Sequence, residues 1–350
     1  MEFKRFKAVK SDAYNYTFDR VTGEFVRWGR TLEDDPSMAP LPEIADIEIS
    51  TICNGPTGKK PCSWCYKSNT GVGRNMDFET FKKIFHKLGK NLTQIAFGIG
   101  DISANPDFYS IMEYCRNNDY NYVVPNVTIN GYDLTDEHAD RLAALCGAVA
   151  VSHYGSELCY DAVKKLTDRG MTQVNIHKLL CRETYESCFQ LMNDIGTDPR
   201  LAKLNAVVFL FMKPKGDRNV FHKLDSFKDY RRLIDYALEH NIRFGFDSCT
   251  APAFLEAVKD HPNYKMFESL SEPCESDLFS IYINVDGKAF HCSFTEDEEG
   301  WRGVDVLGCE DFARDVWYAE ETCRFRNKLL GTAESKRCRS CPIFDLSMKE

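Results

Sequence analysis

The fold is decided by residues 44–67, which read IADIEISTICNGPTGKKPCSWCYK. The first seven of these residues, IADIEIS, predict a β-strand. Three cysteines follow in one loop, with eight residues between Cys53 and Cys62 and two between Cys62 and Cys65. In folds built on parallel strands, active sites lie just beyond the C-terminal ends of the strands. The loop is therefore a candidate functional site.

Six strand-like segments alternate with helix-like segments from residue 44 to about residue 245. The strand-like segments are 44–50, 94–100, 123–129, 148–152, 172–180 and 204–212. They are nearly continuous apolar runs, which is typical of a parallel sheet covered by helices. Six units are too few to close an eightfold barrel. The predicted fold class is α/β, a partial (β/α)6 TIM-like barrel with a small C-terminal Cys-rich α+β module.

Three regions are predicted along the chain. Residues 1–43 are expected to form a short hairpin, turning at TGE (22–24), and a Pro-rich linker. Residues 44–245 are the barrel. The strand–helix alternation ends after it, so residues 246–350 are predicted to be the small module. Within that module, LFSIYINVDGKAFHCSF (278–294) predicts a β-hairpin with an Asp-Gly turn.

Composition excludes several classes of function. The 350 residues carry a net charge of −9 with a pI near 5.5, which argues against a nucleic-acid groove. No apolar run reaches the roughly 18 to 20 residues of a membrane span. The N-terminus lacks the apolar segment of a secretory signal. We expect a cytoplasmic protein with no membrane or nucleic-acid partner.

Fifteen cysteines is a high count for such a protein and indicates metal or redox chemistry rather than disulfides. Some of them are expected to be small buried hydrophobes. This group comprises Cys115, Cys146, Cys159, Cys181, Cys188, Cys309 and Cys323.

The three cysteines of the loop allow two interpretations. A structural zinc site usually takes four protein ligands, so His86 or another cysteine would have to complete it. Thiolate-rich sites also suit iron–sulfur clusters, in which a missing fourth protein ligand leaves one iron open.

The loop resembles the signature of the radical S-adenosylmethionine (SAM) enzymes, in which an aromatic residue, here Trp64, precedes the third cysteine. The family commonly has three residues, not eight, between its first two cysteines. GIGD (98–101) resembles the family's Gly-Gly-Glu-like motif after the second strand, with Gly98, Gly100 and the acid Asp101. Asn130 and Ser152 end the third and fourth strands as in the family.

The resemblance implies a [4Fe–4S] cluster on Cys53, Cys62 and Cys65, with SAM bound to the open iron. Asp101 would bind the SAM amino group, and Asn130 and Ser152 its ribose or carboxylate. Trp64 would pack on the loop and the adenine. Reductive cleavage of SAM would give a 5′-deoxyadenosyl radical that takes a hydrogen from the substrate. A flavodoxin- or ferredoxin-type donor would supply the electron; no catalytic acid or base is predicted.

A second group of cysteines lies in the tail. The spacing from Cys274 through Gly287 to Cys292 resembles the SPASM and Twitch modules, which bind auxiliary iron–sulfur clusters. Ser347 stands where a full SPASM module would have a further cysteine, so one auxiliary cluster is expected. The implied ligands are Cys249, Cys274 and Cys292 with Cys338 or Cys341. A zinc site at Cys274, Cys292, Cys338 and Cys341 is the alternative.

The predicted function is a radical SAM enzyme acting on a peptide, a protein or a small molecule. Relatives with such modules often modify ribosomal peptides through an N-terminal leader-binding domain, for which 43 residues look too short. The substrate is expected to enter where the barrel mouth faces the tail. The alternatives are a zinc-binding structural or interaction protein and a conventional α/β-barrel hydrolase or lyase with incidental thiols.

Overall fold

A computed structural model of the chain describes residues 5–117, 120–332 and 339–349. Its strands are β1 (Phe6–Val9), β2 (Asn15–Asp19), β3 (Phe25–Trp28), β4 (Ile44–Glu48), β5 (Gln94–Gly98), β6 (Val124–Ile129), β7 (Val149–Ser152), β8 (Val174–Leu180), β9 (Ala206–Phe211), β10 (Phe244–Phe246), β11 (Ser280–Ile283), β12 (Lys288–Phe290) and β13 (Val304–Asp305). Its α-helices are α1 (Phe78–Leu88), α2 (Phe108–Asn117), α3 (Asp136–Leu145), α4 (Ser156–Thr167), α5 (Tyr185–Thr197), α6 (Phe227–Glu239), α7 (Ala251–Ala257), α8 (Tyr264–Leu270) and α9 (Glu320–Gly331).

The main sheet has ten strands in the order β10-β9-β8-β7-β6-β5-β4-β11-β12-β13. The run from β4 to β9 is parallel throughout, and its six strands are the six predicted from the sequence. β10 adds a further parallel strand beside β9. Within the described residues β10 and β13 form the two edges of the sheet and do not pair. The predicted fold class, an α/β partial barrel that stays open, is confirmed.

Alternating side chains of the parallel strands face opposite sides of the sheet. On β8, Val174 and Ile176 are fully buried under the helices, whereas Asn175 and His177 point to the barrel interior and are partly accessible. Each covering helix contributes one apolar face, as on α1, where the buried residues recur with helical spacing. At the start of α3 the Thr135 hydroxyl accepts a hydrogen bond from the His138 N–H at 3.2 Å and so caps the helix.

The N-terminal region contains one strand more than the predicted hairpin. The predicted turn joins β2 to β3, with Gly23 at a positive φ of 78°. β1 adds to the outer side of β2 in antiparallel fashion. Tyr16 on β2 is fully buried, and the cluster around it includes Phe279 and Phe325 of the tail. The small sheet thus packs against the C-terminal region.

The tail begins with the predicted hairpin, which is formed by β11 and β12. Gly287 in its turn has φ 75°, a conformation that favours glycine. β11 also pairs in parallel with β4, so the tail extends the barrel sheet at the strand that precedes the cysteine loop. The boundaries of the three predicted regions remain predictions. No helix in the described part of the chain combines the length and apolarity that a membrane span requires.

Candidate functional site

The cysteine loop leaves the C-terminal end of β4 and folds into tight turns. The backbone N–H of Cys53 donates to the Thr70 carbonyl at 2.7 Å, which anchors the start of the loop to its end. The insert between the first two cysteines has Gly55 and Gly58 at positive φ. A Cβ on Gly58 would lie 2.1 Å from the Tyr132 hydroxyl. The long insert therefore packs against the segment after β6, which accommodates the eight-residue spacing.

The loop brings its three thiols close enough to influence one another. The pKa of Cys53 is raised to about 11, chiefly by burial and to a smaller extent by the neighbouring Asp101 and Cys65. Burial likewise raises the pKa of Cys62 to about 12, with added contributions from Cys53 and Cys65. The Gly55 N–H donates to the Cys53 Sγ at 3.4 Å, an interaction that favours the thiolate.

The donor set of the cysteine loop consists of three thiols. Among the described residues, no three His, Cys, Asp or Glu side chains are close enough together to hold one metal ion. The three loop thiols remain partly accessible at one end of the barrel. His86, the proposed fourth ligand of a zinc site, is on α1, where its Nε2 pairs with the Tyr114 hydroxyl at 2.6 Å. Three thiolates without a fourth protein ligand are what a cluster with one open iron requires.

Gly100 permits the segment after β5 to touch the cysteine loop. A Cβ at this position would lie 2.4 Å from the Cys53 Cβ and 2.4 Å from the Ile52 carbonyl oxygen. The next residue, Asp101, donates its N–H to the same carbonyl at 3.3 Å. Gly98 is also close to β4, since a Cβ there would lie 3.3 Å from the Glu48 Cα. The predicted glycine motif is thus in direct contact with the first cysteine.

Asp101 is buried and holds two segments together. Its Oδ2 accepts hydrogen bonds from the backbone and side-chain nitrogens of Asn54, both at 2.8 Å. Its Oδ1 accepts from the Asn130 amide at 3.1 Å. A carboxylate offers about four acceptor positions, and the fourth faces the Cys53 thiol, which would lose its proton on binding iron and so leave this position to another donor. The structure brings Asp101 and Asn130 together, as the resemblance implied, whereas Asn54 was not identified from the sequence.

Tyr154 connects both Ser152 and Trp64 to the thiol of Cys62. Ser152 ends β7, and its carbonyl accepts a hydrogen bond from the Tyr154 N–H at 3.1 Å. The Tyr154 side chain interacts with Cys62 and lowers the pKa that burial raises. Trp64 stacks on Phe221 with ring centroids 4.8 Å apart and lies 6.1 Å from the Tyr154 ring. The aromatic residue before the third cysteine therefore packs on residues beyond β7 and β9, and its contact with an adenine stays a prediction.

Residues 216–218, which follow β9, contact the C-terminal part of the cysteine loop. A Cβ on Gly216 would lie 2.3 Å from the Cys65 carbonyl oxygen, and Gly216 has φ +103°. The Arg218 guanidinium donates to the carbonyls of Ser68 and Asn69 at 3.1 and 2.7 Å. Sequence reasoning missed this contact; the glycine in the segment KPKG (213–216) is the signal that could have found it.

Four tail cysteines form a second group. The thiol of Cys274 interacts electrostatically with those of Cys249, Cys292 and Cys341. Burial raises the pKa of Cys292 to about 12 and that of Cys249 well above its usual range. Two nearby cations oppose this effect of burial. Lys213 lowers the pKa of Cys249, and Arg339 lowers the pKa of Cys274.

Cys338 is outside the described residues, so the choice between it and Cys341 stays open. Five of the seven cysteines expected to be buried lie in the core: Cys115, Cys146, Cys159, Cys181 and Cys188. Cys309 and Cys323 are only half-buried, so the expectation of full burial is wrong for these two.

Residues 47–176 match the family model described as the radical SAM superfamily. The chain thus contains a radical SAM domain over these residues. It is an enzyme of the class that binds a [4Fe–4S] cluster and SAM and cleaves SAM reductively. The matched region runs from β4 to β8 and contains the cysteine loop, the glycine motif and the strand ends described above.

Solved structures share the fold of this radical SAM enzyme over nearly its whole length. SuiB of Streptococcus suis bound to S-adenosylmethionine superposes with a TM-score of 0.71 at 13% identity, covering 97% of this chain and 95% of that chain. SuiB bound to the precursor peptide SuiA superposes with a TM-score of 0.66 at 13% identity, covering 90% of this chain and 89% of that chain. anSMEcpe with bound AdoMet and the Cp18Cys peptide superposes with a TM-score of 0.62 at 16% identity, covering 88% of this chain and 92% of that chain. A comparison with curated proteins gives no match.

Proposed function

We propose that this radical SAM enzyme modifies a peptide substrate, using Cys53, Cys62 and Cys65 to hold the SAM-binding cluster. One observation supports this site above all: the three thiols and Asp101 lie close together beyond the C-terminal ends of β4 and β5. When bound, the cluster and SAM together supply the radical that takes a hydrogen from the substrate.

The proposed role of the chain's own residues is to bind SAM and to hold it in position. With Cys53 bound to iron, Asp101 has one acceptor position left, which suits the ammonium group of SAM. Asn130 fixes the orientation of Asp101, and its own Oδ1 accepts from the Tyr132 N–H at 2.9 Å. Trp64 and Phe221 form an apolar wall beside the thiols, which limits the access of water.

Two observations support a peptide substrate. A cavity of about 530 Å³ lies between the barrel and the tail, lined by residues that follow β4, β9 and β11. This is the junction through which the substrate is expected to enter. Two structures with the same fold are peptide complexes, SuiB with the precursor peptide SuiA and anSMEcpe with the Cp18Cys peptide. An external one-electron donor of flavodoxin or ferredoxin type completes the proposed set of partners.

The tail is proposed to hold one auxiliary [4Fe–4S] cluster. Cys249, Cys274 and Cys292 would provide three thiolates, and Cys341 or Cys338 the fourth. The nearby cations Lys213 and Arg339 favour thiolates at Cys249 and Cys274. A cluster there would lie beside β11 and β12, next to the proposed substrate cavity.

The test of the function is SAM cleavage by protein reconstituted with iron and sulfide without oxygen and reduced with dithionite. The unaltered protein is expected to form 5′-deoxyadenosine, and the double variant Cys62→Ala/Cys65→Ala to fall to background. Cys323→Ala is the control, because this partly exposed cysteine is on α9 outside both thiol groups. Continued deoxyadenosine formation by the double variant would refute the assignment.

A further inference from the structure

The cavity between barrel and tail is bounded by charged side chains from three separate segments. Residues 66–74 leave the cysteine loop, residues 214–217 follow β9, and residues 285–298 belong to the tail. Glu48, the last residue of β4, also lines the cavity. Five of the lining residues are acidic and three are basic. The cavity therefore favours a cation over an anion.

Glu48 has a carboxylate oxygen without a partner. The residue is 5% exposed, and no described residue forms a hydrogen bond with its Oε2. Its Oε1 is 3.3 Å from the Lys67 ammonium. Burial raises the pKa of Glu48, while Lys67 and the nearby Val285 N–H lower it by less. A buried acceptor of this kind is costly unless a donor reaches it.

Lys67 does not neutralise Glu48 on its own, because the same ammonium is shared. It makes a close contact with Glu296 and a hydrogen bond of 2.8 Å with the Tyr282 hydroxyl. Glu296 also accepts from Asn284 at 2.6 Å, so its carboxylate is well satisfied. Elsewhere in the cavity, Lys215 pairs with Glu298 at 2.8 Å. Both of these lysines are thus engaged by acids other than Glu48.

Asp46 adds a second carboxylate on the same side of β4. It is two residues before Glu48, so both side chains point towards the barrel interior, and Tyr282 on β11 is its strand partner. Among the described residues, none forms a hydrogen bond or an ion pair with the Asp46 carboxylate. Its side chain stays accessible, and its surroundings raise its pKa to about 6. The charges of Asp46 and Glu48 both raise the pKa of Tyr66, which follows the third cysteine.

We propose that Glu48 and Asp46 form a subsite for a cationic side chain, lysine or arginine, of the substrate peptide. A cationic nitrogen would give the Glu48 Oε2 the donor it lacks and would offset the excess of negative charge. Charge-assisted hydrogen bonds of this type are stronger than neutral ones, so the subsite would select for charge and not for length alone. The inference rests on the proposed peptide-modifying function and names the residue class that the enzyme would hold in this cavity.

The test uses the anaerobic holoenzyme with SAM and two acetylated, amidated tripeptides, Ala-Lys-Ala and Ala-norleucine-Ala, measured by isothermal titration calorimetry. We expect the lysine peptide to bind about tenfold more tightly than the norleucine peptide. Glu48→Gln should remove most of this preference without changing the affinity for norleucine. Glu239→Gln, an exposed glutamate on α6, makes the same charge change elsewhere and should keep the preference.

Asp46→Asn is a second variant, in case Glu48→Gln fails to fold, and should also reduce the preference. Iron content and circular dichroism verify folding. Equal binding of the two peptides, or a lysine preference that survives both substitutions, would overturn the proposal. Free n-butylamine binding as tightly as the lysine peptide would contradict a peptide source for the cation. Deoxyadenosine formed without any lysine preference would refute the subsite alone, whereas its absence would refute the proposed function.

Discussion

Asp101 and Asn130 are joined by a hydrogen bond of 3.1 Å between the ends of two neighbouring strands, β5 and β6. The other oxygen of Asp101 binds Asn54, directly after the first cysteine of the loop. One carboxylate therefore connects the cysteine loop, the second barrel strand and the third. The acceptor position that faces the Cys53 thiol would become free when Cys53 binds iron, so Asp101 could then also contact a cofactor.

Replacing Asp101 with Asn should weaken SAM binding by about tenfold or more, because a charge-assisted hydrogen bond to the ammonium is lost. Iron content should stay nearly intact, since the three thiols remain on their own loop. Equilibrium dialysis with labelled SAM measures the first quantity and iron analysis the second, with the exposed Asp136→Asn as control. Loss of iron in the Asp101 variant would show that its role is structural.

Gly100→Ala should displace the cysteine loop, because the added Cβ would meet backbone and Cβ atoms 2.4 Å away that cannot rotate aside. We expect a loss of stability of about 1–3 kcal/mol, reduced iron content and strongly reduced deoxyadenosine formation. Gly196→Ala on α5 is the matched control, since nothing lies within 4 Å of its Cβ position. Equal melting temperatures and iron contents for the two variants would contradict the proposed contact.

The double variant Cys249→Ala/Cys292→Ala should lose the auxiliary cluster alone. Iron should fall from about eight to about four atoms per chain, with the site at the cysteine loop retained. Anaerobic reconstitution followed by iron and sulfide analysis provides the measurement, and Cys323→Ala is again the control. About four irons in the unaltered protein would rule out the auxiliary cluster while leaving the SAM-binding cluster in place.

Asp46 predicts a pH dependence of stability. Solvent reaches Asp46, but protein atoms surround it inside the barrel, and this partial desolvation raises its pKa from the usual 3.8 to about 6. Between these two pH values the folded protein holds a proton there that the unfolded chain has released. This contribution to stability is present below about pH 4 and is lost as the pH rises through 6. Asp46→Asn should therefore gain in melting temperature relative to the unaltered holoenzyme between pH 5 and pH 7.5. A constant difference across this range would contradict the raised pKa.

The barrel was predictable because its strands are apolar runs separated by helical periodicity, a signal carried by adjacent residues. β1 was not, since Phe6–Val9 is a short, largely exposed strand at the edge of its sheet. The pairing of Ile44 with Ser280 joins residues far apart in the chain, and no local pattern encodes such contacts. The extension of the barrel sheet by the tail therefore became visible only in the structure.

Site residues were predictable where a spaced motif carried them, as for the cysteines, Gly100 and Asp101. Asn54 and Gly216 escaped because their roles depend on what the folded loop places opposite them. Glu48 is the clearest case. In the sequence it is one polar residue in a strand, and only the structure shows that its Oε2 is buried without a partner.

The central claim is that Cys53, Cys62 and Cys65 hold a cluster whose open iron takes SAM. Electron paramagnetic resonance of the dithionite-reduced protein, recorded with and without SAM, tests it most directly. The Cys249→Ala/Cys292→Ala background leaves a single cluster to observe. The account predicts a [4Fe–4S]⁺ signal that changes on addition of SAM and disappears when Cys62 and Cys65 are also replaced. A signal that SAM leaves unchanged, or one that survives that replacement, would contradict it.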